Sequence, residues 1–291
     1  GYAVRRKRLL VFSPFIGEYI EPFCLACEKF SEFDLIVYGS DQIWRKQPIL
    51  NEYNPVYFGK NVFFAKKHVA YAASMGKMPQ NERDRRTICS LVKNFDEISV
   101  READLHELLK ELGVGSKLVL DPTLLLSVDD WNALVPASNG FDSDYVLFFE
   151  IVRNSFNLEQ VKSFASSKRM NMKILYNDIR KIDSEIPTTN ADVFGFLDCV
   201  KNAKFVFTSS FHALVFSILF HKQFFACFRS NEGRAKTLLC SLGLENRLLK
   251  YGEPIPKDYG FINYDAVEEK LIVLRSRSKD VLKKMVNLNE N

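Results

Sequence analysis

Several sequence features that identify common protein classes are missing from this chain of 291 residues. It contains neither a GxGxxG nor a GxxxxGK[ST] segment. Because those glycine-rich loops hold dinucleotides and nucleotide phosphates, we expect no nucleotide cofactor bound in either way. No apolar run approaches the roughly 20 residues of a membrane-spanning helix, so we expect no transmembrane segment. No repeat or low-complexity segment stands out either.

Cysteine is sparse and the charge is only mildly basic. Six cysteines at scattered spacings do not form a disulfide framework, which favours a reducing cytoplasm. Cys24 and Cys27 form one CxxC, but no second CxxC or nearby histidine accompanies it, so we expect no metal. A net charge of +4 suits an anionic small molecule better than a nucleic acid, whose partners carry clustered Lys and Arg.

The first residues superficially resemble a signal peptide. The basic run of residues 5–8 precedes an apolar run over residues 9–17. However, Pro14 interrupts that run, Glu18 follows it and no small-residue cleavage site is present. We therefore expect ordinary structure here and a cytoplasmic protein, with the inner face of the membrane as an alternative location.

Alternating strands and helices organise the rest of the chain. Strand patterns are predicted over residues 33–38, 67–73, 97–100, 117–120, 145–152, 173–176, 204–207 and 223–228. Helical patterns separate most of them, which is typical of parallel sheets. We predict an α/β protein with a first domain over residues 1–126, a connection over 127–144, a second domain over 145–263 and a final helix over 264–291.

Polar residues follow several of these strands. Asp41, Arg101 and Asp121 each come shortly after a strand in the first predicted domain. In the second domain, His212 follows strand 204–207 and begins an apolar helix under a serine cap. Parallel sheets bind ligands where strands end and helices begin, and His212 is one of only four histidines. These positions are therefore the candidate site.

Six ordered motifs resemble one known family, the polysaccharide pyruvyl transferases. They are Val37-Tyr38-Gly39-Ser40-Asp41-Gln42-Ile43-Trp44, Tyr71-Ala72-Ala73-Ser74-Met75-Gly76, Ile98-Ser99-Val100-Arg101-Glu102, Asp121-Pro122-Thr123-Leu124, Thr208-Ser209-Ser210-Phe211-His212 and LCSLGLENR over 239–247. The resemblance implies a fold similar to that of GT-B glycosyltransferases, in which two Rossmann-like domains face a cleft. It also implies that the final helix returns to the first domain.

The same resemblance implies an activity. Members of the family transfer a pyruvyl group from phosphoenolpyruvate to two hydroxyls of a sugar and so form a cyclic ketal. The expected acceptor is a bacterial cell-surface polysaccharide or its precursor, including a lipid-linked one, and no cofactor is needed.

The chain departs from the family pattern at two places. The strand and helix with a small-residue turn that usually open the first domain are not visible before the first motif, so we expect this domain to lack them. In addition, Ser210 stands where many members have Arg. Arg229 and Arg234, in the region after strand 223–228, are candidates to supply that cation.

The resemblance assigns roles to individual residues, and each has a structural alternative. Arg101 matches an arginine expected to bind phosphate or carboxylate; alternatively it forms an ion pair with Glu102 or caps a helix. His212, at a helix N-terminus, suits general acid/base catalysis, and its alternative is a buried histidine bonded to a carbonyl. We expect Arg101 and His212 to face one cleft from opposite domains.

The remaining candidates are serines and acids. Ser209 and Ser210 offer hydroxyl and main-chain N–H groups to a phosphate, but a helix cap explains one of them equally well. Asp41, which we class with His212 as catalytic, and Asp121 can orient a sugar hydroxyl or an arginine, or can cap turns.

Two other functions remain open from the sequence. A GT-B glycosyltransferase that uses a nucleotide sugar needs the same two-domain layout. A degenerate, non-catalytic member that binds a glycan or an anion is the third interpretation, and Ser210 keeps it open.

Overall fold

The computed structural model describes residues 32–60, 64–134, 144–151, 155–175, 188–189 and 191–287. Cys24 and Cys27 lie outside these described residues. The chain folds as two compact units. The first unit comprises the described residues of Ala26–Leu125, Ser230–Gly243 and Asp265–Asn291. The second unit comprises those of Leu126–Arg229 and Leu244–Tyr264.

Strands and helices alternate along the described residues. The strands are β1 (Glu32–Tyr38), β2 (Phe64–Ala73), β3 (Glu97–Val100), β4 (Lys117–Leu118), β5 (Tyr145–Phe149), β6 (Asn171–Leu175), β7 (Thr188–Thr189), β8 (Phe205–Thr208), β9 (Gln223–Cys227) and β10 (Leu248–Leu249). The α-helices are α1 (Glu82–Leu91), α2 (Ala103–Glu111), α3 (Val128–Leu134), α4 (Leu158–Ser167), α5 (Val193–Asn202), α6 (Phe211–Leu219), α7 (Gly233–Leu242) and α8 (Tyr264–Val286). None of these helices combines the length and the apolar character needed to cross a bilayer.

The first unit is built on a four-stranded parallel sheet in the order β1-β2-β3-β4. In its register, Ile36 lies opposite His68 and Ala70 opposite Ile98. Apolar side chains cover both faces: one core cluster contains Trp44, Phe58, Ile88 and Leu105, and the other contains Tyr71, Val119, Leu125 and Met285. Burial of β3 and of residues 69–73 in β2 explains why these two segments appear as apolar runs rather than alternating patterns.

The second unit contains a six-stranded parallel sheet in the order β10-β9-β8-β5-β6-β7. Its core is aromatic, in keeping with the 25 phenylalanines of the chain. Phe205 and Phe207 stack with ring centroids 5.0 Å apart, and Phe164 meets the Phe207 ring edge-on at 5.1 Å. Such pairs add to the stability that burial of the rings already supplies.

Polar side chains define where the helices begin. Asn81, Asn157, Asp192 and Ser210 each accept a hydrogen bond from a backbone N–H in the first turn of α1, α4, α5 and α6, respectively. These N-caps satisfy donors that the helix itself cannot satisfy. At the other end of α7, Gly243 adopts φ 75°, a left-handed conformation that glycine accepts readily.

The predicted fold class, an α/β protein with two parallel sheets, is confirmed. The predicted strand over residues 117–120 is shorter in the structure, because the N–H of Leu120 donates to Ser278 Oγ at 3.0 Å instead of joining the sheet. The strands β7 and β10 were not predicted, since two residues each are too few to form a pattern.

We expect Ser278→Ala to destabilise the first unit. Ser278 is buried; its hydroxyl accepts from Leu120 N and donates to Leu274 O at 2.8 Å. Its removal leaves the buried Leu120 N–H without this acceptor, which typically costs about 1–3 kcal/mol. Ser241→Ala is the matched control, because the Ser241 hydroxyl of α7 donates only to Leu238 O. Equal free energies of unfolding for the two variants in urea titrations would contradict this account.

Candidate active site

The guanidinium of Arg101 is the buried centre of the site in the first unit. Arg101 follows β3 directly, and its side chain is 1% exposed. One terminal nitrogen donates to the equally buried carboxylate of Asp121, and Nη2 donates to Asp41 Oδ1 at 2.8 Å. The parallel strands therefore bring together three residues that lie far apart in sequence.

Asp121 is held by its own turn as well as by Arg101. Its Oδ1 accepts hydrogen bonds from the backbone N–H of Thr123 at 3.0 Å and from the Thr123 hydroxyl at 2.6 Å. It thereby caps the short 3₁₀ helix Pro122–Leu124. Asp121 thus orients an arginine and caps a turn at the same time, so both of its predicted structural roles are present.

The loop after β1 positions Asp41 through Trp44. The Trp44 ring is fully buried, stacks on Phe58 at 5.2 Å and donates from Nε1 to Tyr57 O at 2.9 Å. The backbone is tied to the end of β2, since Ser74 N donates to Asp41 O at 3.2 Å and Trp44 N donates to Ser74 O at 3.1 Å. The main chain of Asp41 is therefore anchored, whereas its carboxylate is 67% exposed.

Glu102 binds the loop after β2 and does not form the ion pair with Arg101 that was one of our alternatives. Its buried carboxylate accepts hydrogen bonds from Ser74 Oγ at 2.5 Å, Met75 N at 3.1 Å and Gly76 N at 3.3 Å. Burial raises the pKa of Glu102, and the hydrogen bonds from Ser74 and Met75 oppose that rise. Arg101 is instead paired with Asp121 and Asp41.

Arg234 joins the same group from the start of α7. Its Nη1 lies 3.3 Å from Asp41 Oδ1 and its Nε lies 3.8 Å from Glu102 Oε1. Burial, together with the positive charge of Arg101, lowers the pKa of Arg234. The preceding residue, Gly233, lies close to α2, where a Cβ at that position would be 2.8 Å from a carboxylate oxygen of Asp104.

A small cavity opens beside this ion-pair group. It has a volume of about 300 Å³, and Asp41, Gln42, Arg45, Asn54 and Tyr57 contribute to its lining. This volume is at the lower end of the range for small-molecule sites. The carboxyl edge of the first sheet thus combines arginines, an exposed carboxylate and room for a small ligand.

The second unit carries the serine and histidine candidates at the carboxyl end of β8. Ser209 is buried and its Oγ accepts from Ile151 N at 3.0 Å. Ser210 is also buried, and its Oγ accepts from Ala213 N at 3.3 Å as the N-cap of α6. His212 lies in the first turn of that helix and is half-buried. The helix cap predicted as one alternative for these serines therefore occupies Ser210.

A second cavity lies at the carboxyl edge of the second sheet. Its volume is about 620 Å³, and its lining includes Glu150, Asn157, Gln160, Tyr251 and Glu253. Amide and carboxylate groups beside an aromatic ring are the groups with which proteins bind polar ligands. Near it, the exposed guanidinium of Arg229 lies 4.7 Å from the centre of the Tyr251 ring.

Sequence patterns identified some of the residues that the structure brings together and missed others. Asp41, Arg101 and Asp121, each predicted at a strand end, lie together, and Arg234 contacts Asp41 although 193 positions separate them in sequence. Arg229 and Arg234, paired in our prediction, belong to different units. The role of Glu102 was missed, although the Ser74-Met75-Gly76 segment after β2 was the signal for it. Within the described ranges, no group of three metal-ligating side chains comes together.

The two parallel sheets, with ionisable residues at their strand ends, define an α/β protein of the kind that binds ligands along its carboxyl edges. Residues 2–231 match the family model described as polysaccharide pyruvyl transferase. Since this match spans most of the sequence, the chain belongs to the polysaccharide pyruvyl transferase family, which is a transferase class. No significant match occurs among curated proteins.

Solved structures show low sequence identity to this chain. The UDP-GlcNAc 2-epimerase of Methanocaldococcus jannaschii is 12% identical, with a TM-score of 0.46 over 83% of this chain and 70% of that one. The UDP-GlcNAc 2-epimerase of Neisseria meningitidis is 8% identical, with a TM-score of 0.47 over 76% and 70%. A glycosyltransferase of Rickettsia africae is 8% identical, with a TM-score of 0.43 over 99% and 82%.

We expect Glu102→Gln to destabilise the first unit by about 1–3 kcal/mol, because a glutamine amide places an NH₂ group against donors that now face a carboxylate. Glu107→Gln is the control: Glu107 lies on α2, and its side chain is 58% exposed beside Lys110. Chemical denaturation of both variants measures the difference. A Glu102→Gln protein as stable as the control would show that these hydrogen bonds contribute little.

Proposed function

We propose that this protein transfers the pyruvyl group of phosphoenolpyruvate to two hydroxyls of a saccharide and releases phosphate. Family membership supports the transferase class. The observation that carries the finer proposal is the convergence of the Arg101 and Arg234 guanidiniums at the carboxyl edge of the first sheet. Phosphoenolpyruvate carries a carboxylate and a phosphate, and arginine binds both groups with two-pronged geometry.

The reaction needs groups that hold the donor and a group that moves a proton. One sugar hydroxyl attacks C2 of the enol phosphate while C3 takes up a proton; the second hydroxyl then displaces phosphate from C2 and closes the ketal. We assign Arg101 and Arg234 to the donor anion and His212 to proton transfer. A half-buried imidazole at the start of α6 suits that role, since general acid/base catalysis typically contributes about 10²–10⁴-fold.

The cavity of the second unit is our candidate for the saccharide. Tyr251 offers an aromatic face, while Asn157, Gln160 and the acids of the lining offer hydrogen-bonding groups to hydroxyls. Its volume of about 620 Å³ exceeds that of the cavity beside Asp41, as a sugar requires more space than a three-carbon donor. The acceptor would be a bacterial surface polysaccharide or a lipid-linked precursor of one.

The same cavity is also the observation that favours a second candidate function. A site of this size at the carboxyl edge of a parallel sheet can accept a nucleotide sugar, as a glycosyltransferase requires. Calorimetric titration with phosphoenolpyruvate and with a panel of UDP- and GDP-linked sugars separates the two functions. We expect phosphoenolpyruvate to bind without any nucleotide present; binding of a nucleotide sugar alone would favour glycosyl transfer.

Turnover is tested with phosphoenolpyruvate and bacterial polysaccharide precursors, both nucleotide-linked and lipid-linked. We expect release of inorganic phosphate together with a saccharide product that has gained one pyruvyl ketal, detected by mass spectrometry. Release that does not depend on the saccharide would indicate simple hydrolysis of the donor. An absence of release with every precursor, despite donor binding, would favour a non-catalytic anion-binding protein.

We expect His212→Asn to lower turnover by about 10²-fold or more while KM for phosphoenolpyruvate changes little, because only proton transfer is lost. His221→Asn is the matched control, since His221 follows the same helix and its ring stacks on Tyr264 at 4.6 Å. His221 has φ 55°, a conformation that asparagine tolerates. Equal kcat values for the two variants would remove His212 from the mechanism.

A further inference from the structure

A carboxylate of the protein itself occupies the point where two guanidiniums converge. Asp41 Oδ1 accepts from Arg101 Nη2 at 2.8 Å and lies 3.3 Å from Arg234 Nη1. The arginine side chains are only 1% and 12% exposed, whereas the Asp41 side chain is 67% exposed. The two cations are thus fixed in the protein, and the anion between them is at the surface.

The other two acids of the group are held more firmly than Asp41. The side chain of Asp121 is 1% exposed, and its second oxygen is engaged by both donors of Thr123. Glu102 is equally buried and accepts from Ser74 and from the backbone of the loop that follows β2. Asp41 is therefore the acid of this group whose side chain is most exposed to solvent and to an incoming ligand. Its backbone can stay anchored to Ser74 while the side chain rotates.

Asp41 can leave the group without removing the last carboxylate from either arginine. Asp121 remains beside Arg101, and Glu102 remains 3.8 Å from Arg234, whatever Asp41 does. If the Asp41 carboxylate rotates away, each guanidinium keeps one carboxylate and gives up one hydrogen-bond acceptor. A ligand carboxylate carries the same single charge and the same pair of acceptor oxygens. The adjacent cavity of about 300 Å³, which Asp41 lines, leaves room for the rest of such a ligand.

We propose that Asp41 is an internal competitor for the donor site: its carboxylate fills the position between Arg101 and Arg234 that the carboxylate of the bound ligand takes. The identity of that ligand as phosphoenolpyruvate rests on the function proposed above. Binding is then an exchange of one carboxylate for another. Asp41 keeps the two guanidiniums oriented before the ligand arrives. It also lowers the apparent affinity for the ligand, because its own contacts with the arginines must be broken first.

The test compares Asp41→Asn with Asp34→Asn. Both changes remove one negative charge from the first unit. Asp34 is 65% exposed and matches Asp41 in exposure, but it is ion-paired at 2.7 Å with the exposed Lys66 rather than with the arginines. Calorimetric titration of the full chain with phosphoenolpyruvate, and separately with malonate as a plain carboxylate probe, gives the dissociation constants. We expect Asp41→Asn to bind about fivefold tighter than wild type, because the ligand no longer has to displace a carboxylate, and Asp34→Asn to remain near wild type.

Two further variants distinguish loss of the carboxylate from a folding defect. Asp41→Glu keeps a competing carboxylate and should bind much like wild type, and Asp41→Ser repeats the removal with a different side chain. Thermal unfolding of each variant shows whether it is folded at the titration temperature. A gain in affinity for Asn and Ser, but not for Glu, identifies the carboxylate as the competitor.

The outcomes separate this inference from the proposed function. Tighter malonate binding by Asp41→Asn, with no binding of phosphoenolpyruvate to any variant, supports the internal competitor and contradicts the proposed donor. Phosphoenolpyruvate binding by wild type that is unchanged or weaker in Asp41→Asn overturns the internal competitor and leaves the donor assignment intact. If Asp41→Asn binds neither anion more tightly than Asp34→Asn does, Asp41 is a structural ion-pair partner and the inference is wrong.

Discussion

The arrangement of the first unit depends on the neutralisation of one buried cation. The guanidinium of Arg101 is taken out of water, and a buried charge is tolerated only with a partner; removal of one partner from such a pair typically costs about 3–5 kcal/mol. Asp121 supplies the buried partner and Asp41 the exposed one. This requirement fixes the turn after β4 and the loop after β1 against the end of β3. The positions of the acids, the cavity and Arg234 all follow from that.

The fold could be predicted because several strands of both sheets are buried on two faces. Such strands are continuous apolar runs, and β5 (YVLFF) and β8 (FVFT) are fully buried examples. The ends of the strands were harder to predict, because a strand ends where its backbone groups form hydrogen bonds outside the sheet. Leu120 is apolar, yet its N–H bonds to Ser278 of the final helix and not to a strand. No local pattern reveals a partner that lies 158 positions away.

Residues of the candidate site could be predicted only where each of them follows a strand of the same parallel sheet. Asp41, Arg101 and Asp121 satisfy that condition, since adjacent parallel strands end at one edge. Arg234 does not, because the chain passes through most of the second unit before α7 brings it back to the first. Ser210 illustrates a different limit: a serine before an apolar helix has the same sequence pattern whether its hydroxyl caps the helix or binds a ligand. The structure shows the cap.

The final helix has a consequence for the order in which the chain can fold on the ribosome. Met285 of α8 packs in the core cluster of Val69 and Tyr71, and Ser278 completes the hydrogen bonding of Leu120. The first unit therefore lacks part of its interior until the last turns of α8 emerge, although most of its residues are made early. The described residues of the second unit end at Tyr264, before the last turns of α8 are translated. The sheet whose strands are translated first is thus the one whose core is completed last.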